Sequence, residues 1–314
     1  MQKKVNQSFV IMLFLVTYFL LPVQNLCYAQ KDKHFLMVWG DVGYSVFHTK
    51  WDGFNNLGNF GNGIGFGYNA IFWNHFMFST GVEYLFLTSS TKPTHLIIHK
   101  DLIDTENDEY VMEYNIRRLV QVDKTHNVFL PVYIGFITHR SKTNFYFQAG
   151  GKIGYMFASN SNSKIFSYTT TGIYDRFIDP FKDMPNHYFT TEKYSRKNEL
   201  NFNKLQAMLS FETGLDFPSS VAKHALRLSL FANYGIINRQ TPEMQRLNKE
   251  LIFFNDIPND ISVNSLYETN LKLTSQTNSI FAGVKLTVLF GVAKPPCPDC
   301  LPTRAFDPRK KARK

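Results

Sequence analysis

Eight stretches of the chain alternate apolar and polar residues. In the last, Ile280, Ala282, Val284, Leu286, Val288 and Phe290 fall on one side; Phe281, Gly283, Lys285, Thr287, Leu289 and Gly291 fall on the other. A strand turns successive side chains to opposite faces, so each stretch reads as a strand with one oily face and one mixed or polar face. The first runs near His34 to Phe47, with Leu36, Val38, Val42, Tyr44 and Val46 opposite Asp41, Gly43 and Ser45. The second runs near Gly61 to Phe72, where Ile64, Phe66, Tyr68, Ala70 and Phe72 alternate with Gly63, Gly65, Gly67 and Asn69. Glycines on the inner face let a small barrel close without overfilling. The third carries Phe76, Phe78, Val82, Tyr84 and Phe86 outward and Ser79, Gly81 and Glu83 inward.

The fourth, near His126 to Ile137, puts Val128, Leu130, Val132, Ile134 and Phe136 on its oily face. The fifth sets Phe145, Phe147, Ala149, Ile153, Tyr155 and Phe157 against Gln148, Gly150, Lys152 and Gly154. The sixth sets Leu205, Ala207, Leu209, Phe211, Leu215 and Phe217 against Gln206, Ser210, Glu212, Gly214 and Asp216. The seventh sets Leu226, Leu228, Leu230, Ala232, Tyr234 and Ile236 against Arg227, Ser229, Asn233 and Gly235.

Gap lengths orient this pattern. Connections after strands two, four and six read as short, and those after one, three, five and seven as long. Membrane barrels place short turns on one side and long loops on the other, and an even strand count returns both ends to the same side. The expected fold is therefore all-β: an eight-stranded antiparallel up-and-down transmembrane β-barrel with long extracellular loops and short periplasmic turns. A lipocalin-like barrel would turn the oily faces inward. The inward-assigned charges, the loop asymmetry and the absence of cysteine from the barrel segment favour the membrane version.

The N-terminus agrees. Lys3 and Lys4 precede an apolar run from Phe9 to Leu21, and a small residue, Ala29, offers a cut site. Residues 1–29 read as a signal peptide, 30–292 as an outer-membrane barrel domain and 293–314 as a basic periplasmic tail. A lipoprotein modified at Cys27 is the rival, but Gln24-Asn25-Leu26 is a poor lipobox. Composition supports the barrel: 16% of residues are aromatic, with 30 Phe and 16 Tyr, as interfacial girdles require. Of the net charge of +9, the leader holds +2 and the tail +5, leaving +2 on the barrel segment. That balance does not describe a nucleic-acid binder.

Two segments carry a family signature. His126-Asn127-Val128-Phe129-Leu130-Pro131-Val132-Tyr133-Ile134-Gly135-Phe136 and Asn144-Phe145-Tyr146-Phe147-Gln148-Ala149-Gly150-Gly151-Lys152-Ile153-Gly154-Tyr155 are paired in sequence by a short polar turn. Together they resemble the central strands of the PorT-type outer-membrane barrels of Bacteroidota, which are OmpA-like in architecture. Phe281-Ala282-Gly283-Val284-Lys285-Leu286 fits as the closing strand. The resemblance covers about residues 34–291; three long loops and the tail depart from it. It implies an eight-stranded barrel and no catalytic residues, and some relatives assist type IX protein secretion. Pro131 within a strand cannot donate to the ladder, so a bulge is expected there.

Candidate chemistry is sparse. Asp41, Glu83, Glu212 and Asp216 face three bases, Lys152, Arg227 and Lys285, in the expected lumen. Eight strands leave an interior just wide enough for side chains, so these charges should pair into a plug; a gated polar path is the alternative. No nucleophile–base–orienter arrangement is visible, so no enzyme and no cofactor are expected, with a barrel-rim hydrolase or acyltransferase as the least favoured class. His95 and His99 could share a helix face, but no metalloprotease glutamate follows His95, and no metal site is expected. Cys297 and Cys300 would form a local disulfide in an oxidising compartment. The run Arg309 to Lys314 reads as a solvated basic end that could touch lipid headgroups or a periplasmic partner. The long loops hold an acidic run, Asp101 to Glu109, and the aromatics Tyr168, Tyr174, Phe177, Phe181, Tyr188 and Tyr194. They either bind a protein or glycan partner or pack on one another. Calcium at the acidic run is conceivable, although its spacing fits no EF-hand.

Overall fold

The computed structural model describes residues 33–93, 96–104, 106–138, 143–184, 191–218, 224–254 and 261–292. The leader, the tail with Cys297 and Cys300, His95 and Tyr188 lie outside the described residues.

Eight strands build the wall: β1 (Lys33–His48), β2 (Phe54–Phe72), β3 (Phe76–Pro93), β6 (Leu119–Ile137), β7 (Asn144–Ile173), β9 (Leu205–Pro218), β10 (His224–Gly235) and β13 (Asn278–Gly291). Each is antiparallel to the next along the ring. β7 pairs β9 from Asn144↔Asp216 to Tyr155↔Leu205, and β1 meets β13 from Phe35↔Gly291 to His48↔Asn278, which closes the circle. Closure leaves no free edge in the wall, so backbone donors and acceptors pair there without water.

Side-chain parity decides what surrounds the barrel. Along β10, Leu226, Leu228, Leu230 and Tyr234 stand exposed while Arg227, Ser229 and Asn233 are buried. The same inversion holds on β1, where Leu36, Val38 and Val42 are exposed and Asp41 and Ser45 buried. Water would penalise that exterior, and hydrocarbon does not. The fold is an all-β transmembrane barrel. Aromatic contacts bracket the apolar band. At the short-turn end His34 stacks on Tyr68, Trp73 and Phe136 meet Phe76 edge-on, and His224 meets Phe290. At the other end Tyr84, Phe86 and Phe157 surround His126. Ten residues of β1 separate His34 from Tyr44, or about 25 Å along the axis of a strand tilted by ~40°.

The tight turn at Trp73-Asn74 has φ of 50° and 65°, the hairpin geometry that matches strand twist. Asn tolerates the left-handed region; Trp73 is carried there with its ring on the interfacial girdle. Inside the wall, β2 turns a row of glycines to the lumen. A methyl on Gly63 would collide with the Asp41 carboxylate and the Leu85 side chain, and one on Gly65 with the Trp39 indole.

Three expectations need correction. The connection after β1 spans only residues 49–53, because β2 starts at Phe54 rather than near Gly61. Polar Asn-rich sequence still extends the ladder when β3 offers partners such as Leu57↔Ser90. Pro131 causes no bulge: it sits opposite Lys152 in continuous register with β7, and the irregularity lies at His126/Asn127. On the other side, the pairing with β3 keeps its register from Thr80↔Val132 to Glu83↔Phe129. A missing donor costs a ladder bond but inserts no residue. The lumen is also less polar than alternation alone implies, since Phe129, Phe231, Phe281, Leu85 and Leu87 are buried in it.

Beyond the upper girdle, β2, β3, β6 and β7 continue as one tall wall, and β7 reaches 30 residues. The long connections add β4 (Leu96–Ile103), β5 (Glu109–Ile116) and β8 (Thr191–Glu199) to it: β5 pairs β7 from Val111↔Ile173 to Ile116↔Tyr168, and β8 pairs β7 from Asn160↔Glu199. The last connection supplies α1 (Pro242–Arg246), β11 (Ile252–Phe254) and β12 (Ile261–Val263). Thr241 caps α1 by accepting from the Met244 amide, and Pro242 sets the first turn. Leu251, Ile252, Val263, Leu266 and Tyr267 join Met112, Tyr114, Ile116, Leu119 and Ile165 in one apolar cluster. The connections thus pack into a folded head on the barrel.

Candidate functional site

The seven charges expected in the lumen are all buried there, and they form three ion pairs at successive heights. Nearest the short turns, Arg227 and Asp216 are direct cross-strand partners at 3.1 Å. The guanidinium also reaches Asn69 at 3.4 Å and lies over the Tyr146 ring, while Asn144 donates to the second Asp216 oxygen at 3.3 Å. Above it, Lys285 meets Glu212 at 2.8 Å. Glu212 further accepts from Tyr146 Oη at 2.6 Å, Gln148 Nε2 at 3.0 Å and Ser229 Oγ at 2.9 Å. Four donors on one carboxylate replace the hydration that burial removed.

Higher still, Lys152 meets Glu83 at 2.6 Å, and the Trp39 indole donates to the other Glu83 oxygen at 3.0 Å. Lys285 also sits 4.8 Å from the Trp39 ring centre, which links the two upper pairs. Asp41 is the fourth acid. It packs beside Glu83 rather than against a base of its own, and its Oδ1 has no hydrogen-bond partner among the described residues. Glu83–Lys152 and Glu212–Lys285 each reach past an intervening strand, β6 and β10 respectively. Parity along a strand predicts which residues enter the lumen. It does not predict such reach.

A second buried polar centre, at the join between barrel and head, has no counterpart in the sequence reading. Asp123 accepts from Tyr267 Oη at 2.8 Å and Gln121 Nε2 at 2.9 Å, while Gln121 Oε1 accepts from the Leu266 amide at 2.9 Å. Arg239 is wholly buried, stacks 4.2 Å from the Phe47 ring centre and donates to Thr125 at 2.9 Å. Burial pushes the Asp123 carboxyl up to about 6, against the hydrogen bonds from Tyr267 and Gln121 and the charge of Arg239. Burial likewise lowers the Arg239 guanidinium to about 10, opposed by Tyr267 and Asp123. The signal was present: Val120 and Val122 alternate with Gln121 and Asp123, continuing the fourth strand toward its true start.

The acidic run proves to be a hairpin turn. The Asp104 carboxylate accepts from the amides of Glu106 and Asp108, at 2.8 and 2.9 Å, and from Tyr174 Oη at 3.2 Å. The backbone hydrogen bond from Asp108, the largest influence, holds Asp104 below the ordinary carboxylate range. Asp108 pairs with Arg176. These carboxylates therefore serve the turn. Tyr174 stacks on Tyr110 at 4.9 Å and meets Phe181 edge-on at 5.5 Å. The loop aromatics pack on one another, leaving Ile103, Phe177 and Ile178 exposed at the tip. His99 lies on strand β4, not on a helix, and contacts Glu113 at 3.2 Å.

No family model and no curated protein matches the chain. Among solved structures, the chain is similar to Ail, the attachment invasion locus protein of Yersinia pestis. In complex with the heparin analogue sucrose octasulfate, Ail is 10% identical with a TM-score of 0.27, over 83% of this chain and 100% of that chain. Ail alone is 11% identical with a TM-score of 0.26, over the same shares. Likeness at that level adds nothing to the strand order and parity described above.

Proposed function

We propose that this protein is a non-enzymatic outer-membrane barrel that displays its head at the cell surface and acts there as a scaffold or binding protein. The observation that carries the reading is a barrel filled by bonded charges and aromatic packing beneath a folded head with an apolar tip. Such a lumen is built for rigidity, and the head is what remains to meet a partner, protein or glycan. In this reading the short turns and both mature termini face the periplasm, the leader is cleaved and lipid covers the wall. The buried pairs act as a structural plug, so purified protein in a planar bilayer carries no steady nanosiemens current.

The barrel segment lacks cysteine, so once Cys297 and Cys300 are replaced by serine, single cysteines test the orientation. In intact cells an impermeant maleimide labels Ile178→Cys and spares Trp73→Cys; the reverse pattern overturns the reading. Deleting the gene and comparing proteins released into the medium tests the role. Unchanged release supports the scaffold. Loss of cargo that accumulates in the periplasm would replace it with the secretion role implied by the PorT-type resemblance.

A further inference from the structure

Cations predominate on the lower part of the head and acids at the tip of its β4–β5 hairpin. On its outer face, strand register stacks cations directly above the upper girdle. Lys124 lies opposite Asn160, Lys197 opposite Asn162, and Lys164 opposite Ser195. Lys193 continues the row on β8. Arg118 and Lys164 each stand 4.7 Å from the centre of the Phe166 ring. These five cations are exposed, and none is ion-paired among the described residues. Glu199, exposed opposite Asn160, is an acid at the foot of this row; Asp101, Asp104, Glu106, Asp108 and Glu109 lie at the far end of the β4–β5 hairpin, from the Val111↔Ile173 pair outward. Successive outward positions rise by about 5 Å, so the cations span roughly 5–20 Å above the girdle.

We propose that this ledge binds the phosphorylated headgroups of an anionic glycolipid in the surrounding leaflet. A solvated basic face would not need to lie against the membrane, nor to hold two of its cations on an aromatic ring. Cations at this height meet phosphates and acidic sugars, while the acidic hairpin is carried away from them. The contact pins the tall side of the head to the leaflet and presents its tip outward. The inference rests on the reading that the long-loop end is outside.

The test titrates the full chain in neutral detergent micelles with a bis-phosphorylated glucosamine-disaccharide lipid, scoring lipid retained through gel filtration. Each cation near an anionic surface is worth about fivefold, so R118Q/K164Q/K197Q should weaken binding about 100-fold. Heat-modifiable gel mobility, unchanged, shows that the variant is folded. Wild-type protein should prefer the phosphorylated lipid over its dephosphorylated form, and added salt should erase the preference. Equal affinity for the two lipids, or an unaltered triple variant, overturns the proposal. Displacement by millimolar inorganic phosphate would reassign the ledge to free phosphate and overturn it as well. Ile178→Cys labelling separates the two failures: surface labelling with no phosphate preference defeats the ledge alone, and inverted labelling defeats the orientation.

Discussion

Replacing Lys285 with Met removes the cation that faces Glu212 at 2.8 Å and leaves a carboxylate inside the barrel. Three hydrogen bonds remain to it, from Tyr146, Gln148 and Ser229. Breaking a buried pair by removing one partner costs about 3–5 kcal/mol, and the surviving donors put this case near about 3. With a urea slope of about 3 kcal/mol per M, the unfolding midpoint falls by about 1 M. Tryptophan fluorescence in lipid vesicles follows it, since Trp39 lies 4.8 Å from the ammonium. The double variant K285M/E212Q removes both charges, keeps an acceptor for Tyr146 and Ser229, and should return to within about 1 kcal/mol of wild type. If K285M itself stays within about 1 kcal/mol, or if the double variant is no better, the charges are screened by water and the plug reading fails.

Gly63→Ala pushes a methyl into both the Asp41 carboxylate and the Leu85 side chain and should cost about 1–3 kcal/mol; adding Asp41→Ala should restore part of it and leave the Leu85 clash, read by the same urea transition. Asp123 has a folded value of about 6, above the 3.8 of an unperturbed group. The folded head therefore keeps a proton that the unfolded chain releases, and stability declines as pH rises from about 4 to about 6 and is level above, by at most about 3 kcal/mol. Limited proteolysis of the 261–277 segment across that range should show the slope, and Asp123→Asn should flatten it. Asp104→Ala should speed hydrogen exchange at the amides of Glu106 and Asp108 severalfold while leaving β6 amides protected; unchanged exchange would mean the carboxylate does not hold the turn.

The barrel was legible in the chain because period-two alternation reports which side chains share a face, whatever their neighbours. Eight such runs, with their gaps, set the strand count and direction of closure, and parity alone sent Asp41, Glu83, Lys152, Glu212, Asp216, Arg227 and Lys285 inward. Beyond parity, contacts distant in the chain decide the structure. Strand lengths beyond the membrane depend on partners: Asn-rich residues 54–59 extend β2 because β3 stands beside them. Ion pairing depends on which strands face each other around the ring, which brings Lys285 to Glu212 across β10. Arg239, Asp123 and Tyr267 come from connections and strand ends over a hundred residues apart in part. Only a closed wall with the last connection folded onto it makes them neighbours. The charge gradient of the head is likewise tertiary, since it exists once β6, β7 and β8 lie in register above the girdle. Local alternation determines the faces of a strand; contacts distant in sequence decide what those faces meet.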